Sequence, residues 1–114
     1  MKSIQNTLQS LYQQLNSVSE SLNVYHYQKP EGADVPYIVW AEDGEESSFH
    51  SSNEKREQVV GGVIDYFTQT EFDANVDTIQ SKLNDLSGCS WVLESVQYEE
   101  STELIHYQWR WEMI

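Results

Sequence analysis

The C-terminal segment 104–113 alternates strictly between apolar and polar side chains. The apolar positions are Ile105, Tyr107, Trp109, Trp111 and Met113, and the polar positions between them are His106, Gln108, Arg110 and Glu112. A period of two is typical of a β-strand, because successive side chains of a strand point to opposite faces. The segment therefore predicts a strand with one aromatic face that other elements must cover and one polar face.

Two other segments carry the periodicity of an amphipathic helix. In the first, apolar residues recur at spacings of four and three residues, which predicts a helix of about six turns. They are Ile4, Leu8, Leu11, Leu15, Val18 and Leu22. The second begins at Asp73, a good N-cap residue, and ends before Gly88, with apolar residues at Val76, Ile79, Leu83 and Leu86. We expect both helices to lie on the aromatic face, although the first stripe also fits a short coiled coil.

Three further segments predict strands, at 36–42, 59–68 and 92–98. The Gly61-Gly62 pair indicates a bulge or a close backbone approach in the second of them. Residues 24–27 fit either a short strand or an extended exit from the first helix. We therefore predict a single α+β domain over residues 1–114, in the order helix-strand-strand-helix-strand-strand, with a mostly antiparallel four-stranded sheet and both helices on one face.

The segment at about 42–57 is rich in acidic residues and serine and has no periodic pattern, which predicts a long flexible loop. Two interpretations stay open for it. It is either a solvated loop or an arm that orders against a partner, as long loops in compact domains often do. Phe49 favours the arm, because a large apolar side chain in a polar loop needs a surface to cover it.

The charge of the chain restricts its partners. Nineteen acidic residues stand against six Lys and Arg residues, and the formal net charge is −13. Binding to nucleic acid phosphates depends on cations, so we expect DNA to be repelled rather than bound. The chain has a single cysteine and no apolar run that would span a membrane, so we expect no disulfide, no membrane association and synthesis in the cytoplasm.

The sequence contains no recognisable catalytic or metal-binding pattern. His26, His50 and His106 lie far apart, and the acidic run 43–46 lacks the alternating oxygen ligands of a calcium loop. Cys89 follows the end of a predicted helix, where the helix dipole disfavours a thiolate. We therefore expect no enzyme activity, no cofactor and no metal.

Three segments together resemble a family of viral structural proteins. They are 35–40 (VPYIVW), 61–70 (GGVIDYFTQT) and 104–112 (LIHYQWRWE). These segments and the order of elements resemble the small tail completion proteins of long-tailed bacteriophages and prophages, also called tail terminator or tail-to-head joining proteins. The resemblance covers nearly the whole chain in architecture.

The resemblance implies a non-enzymatic virion structural protein made in the host cytoplasm. Such a protein forms a ring, commonly of six subunits, that stops growth of the tail tube and presents a surface to the head connector. Its partners are then the tail-tube and head-connector proteins, and DNA passes through the ring without specific binding. The acidic composition suits such a passage, because negative charge repels phosphate.

We place the protein contacts of such a ring on the predicted loop and on the polar face of the last strand. The candidate residues are Asp43, Glu45, Glu46, Phe49, His50, His106, Gln108, Arg110 and Glu112. A different class of function also fits the composition. A small acidic inhibitor of the anti-restriction type mimics DNA with carboxylates and binds a DNA-processing enzyme, and the charge of −13 favours it.

Overall fold

A computed structural model describes residues 3–51 and 54–114, with side chains described for residues 3–46 and 58–114. Two helices and five strands make up this part of the chain. In order they are α1 (Ile4–Asn16), β1 (Asn23–His26), β2 (Tyr37–Ser51), β3 (Glu54–Thr68), α2 (Ala74–Asn84), β4 (Cys89–Glu99) and β5 (Leu104–Met113).

The strands form one mixed sheet in the order β1-β2-β3-β5-β4. The neighbouring pairs are antiparallel except β1 and β2, which run parallel, with Val24 opposite Ile38. Our prediction of a four-stranded, mostly antiparallel sheet with the element order given above is therefore wrong. Strand β1 has only four residues, too few to display a readable period, so the sequence left it ambiguous.

Strands β2 and β3 run through most of the segment that we predicted as a loop at about 42–57. Strand β2 continues to Ser51 and β3 begins at Glu54, and the two pair with each other in antiparallel register. Pairing of β1 with β2 ends at Trp40, and pairing of β3 with β5 begins at Val60. Residues 45–51 and 54–59 therefore form a two-stranded ribbon, here called the arm. The arm is defined by backbone pairing, and backbone pairing requires no periodic pattern of apolar side chains, which explains why the sequence pattern did not predict these strands.

The first helix is shorter than its apolar stripe. Ser3 caps its start by accepting a hydrogen bond from the Asn6 backbone N–H at 3.4 Å, and α1 ends at Asn16. Leu22 lies beyond the helix but is still buried in the same core. The spacing therefore identified Leu8, Leu11, Leu15 and Leu22 correctly as buried residues, whereas Ile4 is 37% exposed and Val18 is only partly buried. The predicted length of the helix was wrong, because the chain beyond Asn16 continues the apolar stripe without being helical.

The core lies between the two helices and one face of the sheet. Trp109, Trp111 and Met113 are at most 1% exposed, and they pack with residues of both helices. The polar residues between them are only partly buried, so the predicted division into two faces is confirmed for residues 108–113, whereas Ile105 and Tyr107 are also only partly buried. In the described part of the chain, neither helix has the length and apolar character needed to cross a membrane.

The second helix and the glycine pair agree with the sequence predictions. Asp73 caps α2 by accepting a hydrogen bond from the Asn75 backbone N–H at 2.9 Å. At Gly62 an added Cβ would collide with the carbonyl oxygen of Ala41 and would lie 2.7 Å from Trp111. A side chain at this position would separate β2 from β3 or displace the tryptophan, so the close approach requires glycine.

Candidate interaction surface

Arg110 connects the last strand to the base of the arm. It lies on the face of the sheet that points away from the two helices, here called the open face. Its guanidinium donates hydrogen bonds to Asp43, with Nη1–Oδ2 at 2.7 Å and Nη2–Oδ1 at 2.9 Å. Glu46 forms a second ion pair with the same guanidinium. The hydrogen bonds to Asp43 raise the pKa of Arg110 above its ordinary value. Three of the predicted contact residues thus meet at one point.

The remaining predicted residues of the arm are spread along it. Gln58 donates a weak hydrogen bond to Glu45 across the two strands, with Nε2–Oε1 at 3.4 Å. Phe49 and His50 belong to β2, and the backbone register places them opposite Glu57 and Lys55. Their side chains lie outside the described part of the structure.

The other predicted contact residues of β5 lie on the same open face as Arg110 and are spread along the strand. His106 is at the end of the strand farthest from the arm, and its Nε2 lies 2.7 Å from Oδ1 of Asp65. Gln108 is opposite Asp65 in the register, and Glu112 is opposite Gly61, next to the base of the arm. The four polar residues of β5 therefore share one face of the strand, but Arg110 and Glu112 lie near the arm and His106 lies near the opposite end.

A row of stacked rings, which the sequence analysis missed, crosses the open face at the His106 end. Tyr37 stacks on Phe67 at 5.0 Å between ring centroids, and Phe67 stacks on His106 at 4.2 Å. Tyr25 meets the edge of Tyr37 at 6.3 Å. These rings come from four strands, so only the pairing of the strands brings them together. The open face is thus partly aromatic rather than uniformly polar.

A second contact at the other edge of the arm base involves Glu42. Nε2 of His26 lies 2.7 Å from Oε1 of Glu42, and the Tyr27 hydroxyl donates a hydrogen bond to the other carboxylate oxygen. Burial acts to raise the pKa of Glu42, but the hydrogen bonds from Tyr27 and His26 outweigh it and lower the pKa. The base of the arm therefore lies next to two side-chain contacts, one made by Glu42 and one made by Asp43.

The helix-bearing face of the sheet is not fully covered. Beyond α2, at the end of the sheet far from the arm, a groove of about 960 Å³ opens over β4 and β5. Its apolar lining consists of Phe72, Val96, Tyr98, Ile105 and Tyr107, and its polar lining includes Glu71 and Glu103. Phe72 is 96% exposed, Tyr98 61% and Val96 51%. The sequence placed Ile105 and Tyr107 on the core side of β5 but did not indicate that they would be only partly buried.

Reactive groups outside these surfaces are held in protonated or hydrogen-bonded states. Burial raises the pKa of Cys89 to about 11. The Tyr66 hydroxyl donates a 2.6 Å hydrogen bond to Asp73 Oδ2, and burial followed by this contact raises the pKa of Tyr66 to about 12. Among the side chains described, those of residues 3–46 and 58–114, no three from His, Cys, Asp or Glu gather in a way that would hold a metal ion.

Comparison with known proteins gives a fold but no family. No family model matches the sequence, and no curated protein matches it. A chain in the solved structure of the virion of a native gene transfer agent particle superimposes with a TM-score of 0.65 at 15% sequence identity. The match covers 99% of this chain and 97% of that chain. The protein therefore shares its fold with that chain over nearly the length of both.

Proposed function

We propose that this protein is a non-enzymatic structural protein of a bacteriophage or prophage virion. In this role it caps the tail tube as a ring and joins the tail to the head. The observation that carries the proposal is the fold shared over nearly the full length with a chain of a virion particle. The resemblance of segments 35–40, 61–70 and 104–112 to tail completion proteins supplies the more specific role.

The charge and the arm support a ring around a DNA passage. A net charge of −13 opposes adhesion of phosphates, so DNA can move through the ring without being held. The arm leaves the domain as a ribbon that pairs with no other strand beyond Val60 in the described chain. An isolated two-stranded ribbon is only marginally stable in water, so a partner protein is expected to support it.

Electron microscopy of the protein mixed with tail-tube subunits of the same phage or prophage tests the proposal. We expect rings at one end of the tubes and tubes of limited length. The unaltered protein is compared with a variant whose arm is shortened. In this variant Asn-Gly replaces residues 48–58, so that a two-residue turn joins Ser47 and Val59, which are opposite each other in the register. We expect this variant to fold and to lose tube binding. Tubes that stay bare and unlimited in length with the unaltered protein would exclude the role.

The net charge also favours a second candidate, an acidic DNA mimic that inhibits a DNA-processing enzyme. Such a protein binds its target through exposed carboxylates, so the affinity falls steeply as salt is added. Titration against a restriction endonuclease at low and high salt separates the two functions. Salt-sensitive inhibition without ring formation would favour the mimic.

A further inference from the structure

We propose that the apolar groove over β4 and β5 receives the arm of a second copy of this chain. The groove is lined by Phe72, Val96, Tyr98, Ile105 and Tyr107 and bordered by Glu71 and Glu103. This inference rests on the proposed ring and names the contact that would close it. It concerns contacts between identical subunits, whereas the proposed function concerns the tail tube and the head.

The groove has the properties of a surface that is covered in an assembly. It exposes several large apolar side chains side by side, which single soluble domains rarely do without a functional reason. Phe72 is 96% exposed and has a φ of 54°, a left-handed conformation that is unfavourable for an aromatic residue. Residues in such sparsely populated conformations cluster at functional sites, which is consistent with a contact at Phe72.

The topology prevents the arm of a chain from reaching its own groove. The arm extends from the end of the sheet where Val60 pairs with Met113. The groove lies at the other end, where Thr68 pairs with Ile105 and Tyr98 lies opposite the same residue. The two surfaces therefore face opposite ends of the sheet, and only another copy can supply the arm.

Charge favours the outer part of the arm, residues 47–57, as the segment that a second copy supplies. Each copy carries −13, and the border of the groove carries Glu71 and Glu103, so the groove repels the acidic surfaces of a second copy. Residues 47–57 contain Glu54 and Glu57 against Lys55 and Arg56, so this segment has no net charge. It also contains Phe49. The outer part of the arm thus carries an apolar residue and two cations in a segment without net charge, which suits an apolar groove with an acidic border.

A contact of arm to groove is heterologous, because two different surfaces meet. Repetition of a heterologous contact produces a ring if the rotation closes and an open filament if it does not. Each subunit then offers one arm and one groove, so two variants with different defects can still form one intact contact. This property gives a sharp test.

The test uses sedimentation of the full-length chain and of two variants. Val96→Glu places a charge in the groove, and its control Val92→Glu places the same charge on the opposite face of β4, where Val92 is 56% exposed. The double variant Lys55→Glu, Arg56→Glu alters the arm, and its control is Lys29→Glu, Lys82→Glu. Circular dichroism melts verify that each variant is folded.

We expect the unaltered chain and both controls to self-associate. We expect the dissociation constant for self-association of each test variant alone to rise by about tenfold or more. An equimolar mixture of the two test variants should form a one-to-one heterodimer and nothing larger. A mixture that stays monomeric, or test variants that assemble like their controls, would overturn the inference, and so would an unaltered chain that remains monomeric at about 1 mM.

The outcomes also separate this inference from the proposed function. Tubes capped equally well by the groove variant would retain the tail role and remove the arm-to-groove contact. Heterodimers formed by a protein that caps no tube would retain the contact and remove the tail role.

Discussion

The Arg110 guanidinium and the Asp43 carboxylate form a two-point contact that joins β5 to β2 across the intervening strand β3. Asp43 has no partner of its own in the register, which shifts between Glu42 and Gly44. The bulge turns the carboxylate over the open face, toward Arg110. The contact thus lies at the base of the arm, where β2 continues beyond the sheet.

Replacing Arg110 should loosen the base of the arm with little effect on overall stability. The two side chains are 28% and 47% exposed, so we expect Arg110→Ala to cost about 1 kcal/mol or less in urea unfolding. Hydrogen exchange at Glu45 and Val60 should become faster, since both are next to the lost contact. Arg110→Lys keeps the charge without the two-point geometry and should give an intermediate exchange rate. Unchanged exchange in both variants would show that the contact does not hold the arm.

Trp109 should be among the residues most important for stability. It is fully buried, and its indole Nε1 donates a 3.1 Å hydrogen bond to Gln80 on α2. We expect Trp109→Ala to lower the free energy of unfolding by about 3 to 5 kcal/mol, measured by denaturant melts. Trp91→Ala is the comparison, because Trp91 is only partly buried and should cost clearly less. Equal losses for the two would contradict the described core.

Gly62 should tolerate a side chain far less well than its neighbour. At Gly62 an added methyl meets the backbone of β2 and Trp111, whereas at Gly61 it meets only side-chain atoms of Glu46, which can move more easily than backbone. We expect Gly62→Ala to cost about 1 to 3 kcal/mol and Gly61→Ala less. Thermal unfolding of the two variants measures the difference. Matching melting temperatures would mean that β2 can move away from β3 at no cost.

The contact between Tyr66 and Asp73 should make stability depend on pH at both extremes. The folded-state pKa of Tyr66 is raised from 10.0 to about 12, so its contribution is present below pH 10 and is lost as the pH rises toward 12. Burial opposes ionisation of Asp73, but the hydrogen bonds from Tyr66 and Thr68 lower its pKa below 3.8. Its contribution is therefore present above pH 3.8 and is lost as the pH falls through the lowered value.

Urea unfolding across the pH range tests this dependence against Tyr66→Phe. The variant removes the hydroxyl and one hydrogen bond to Asp73, so the loss of stability at high pH should shrink, and so should part of the loss at low pH. A variant with the pH profile of the unaltered chain would show that other groups govern the dependence.

The periodic segments were predictable because burial repeats with the geometry of the element. The alternation that includes Trp109 and Trp111 predicted the core face of β5. The spacing of Ile79 and Leu83 predicted the buried side of α2, and Asp73 predicted where that helix begins. The arm could not be predicted in this way. Residues 45–51 pair through their backbone, and backbone hydrogen bonds leave no periodic mark in the side chains.

The contact surfaces follow the same division. Sequence alone determined which side chains of β5 face the core and which face outward, because alternation is a property of one strand. Only the tertiary structure decided that Arg110 meets Asp43, that Phe67 stacks on His106, and that Val96 and Tyr98 remain uncovered. Each of these depends on which strands are neighbours and on how far the helices reach. Those are relations between distant segments, and no single stretch of sequence contains them.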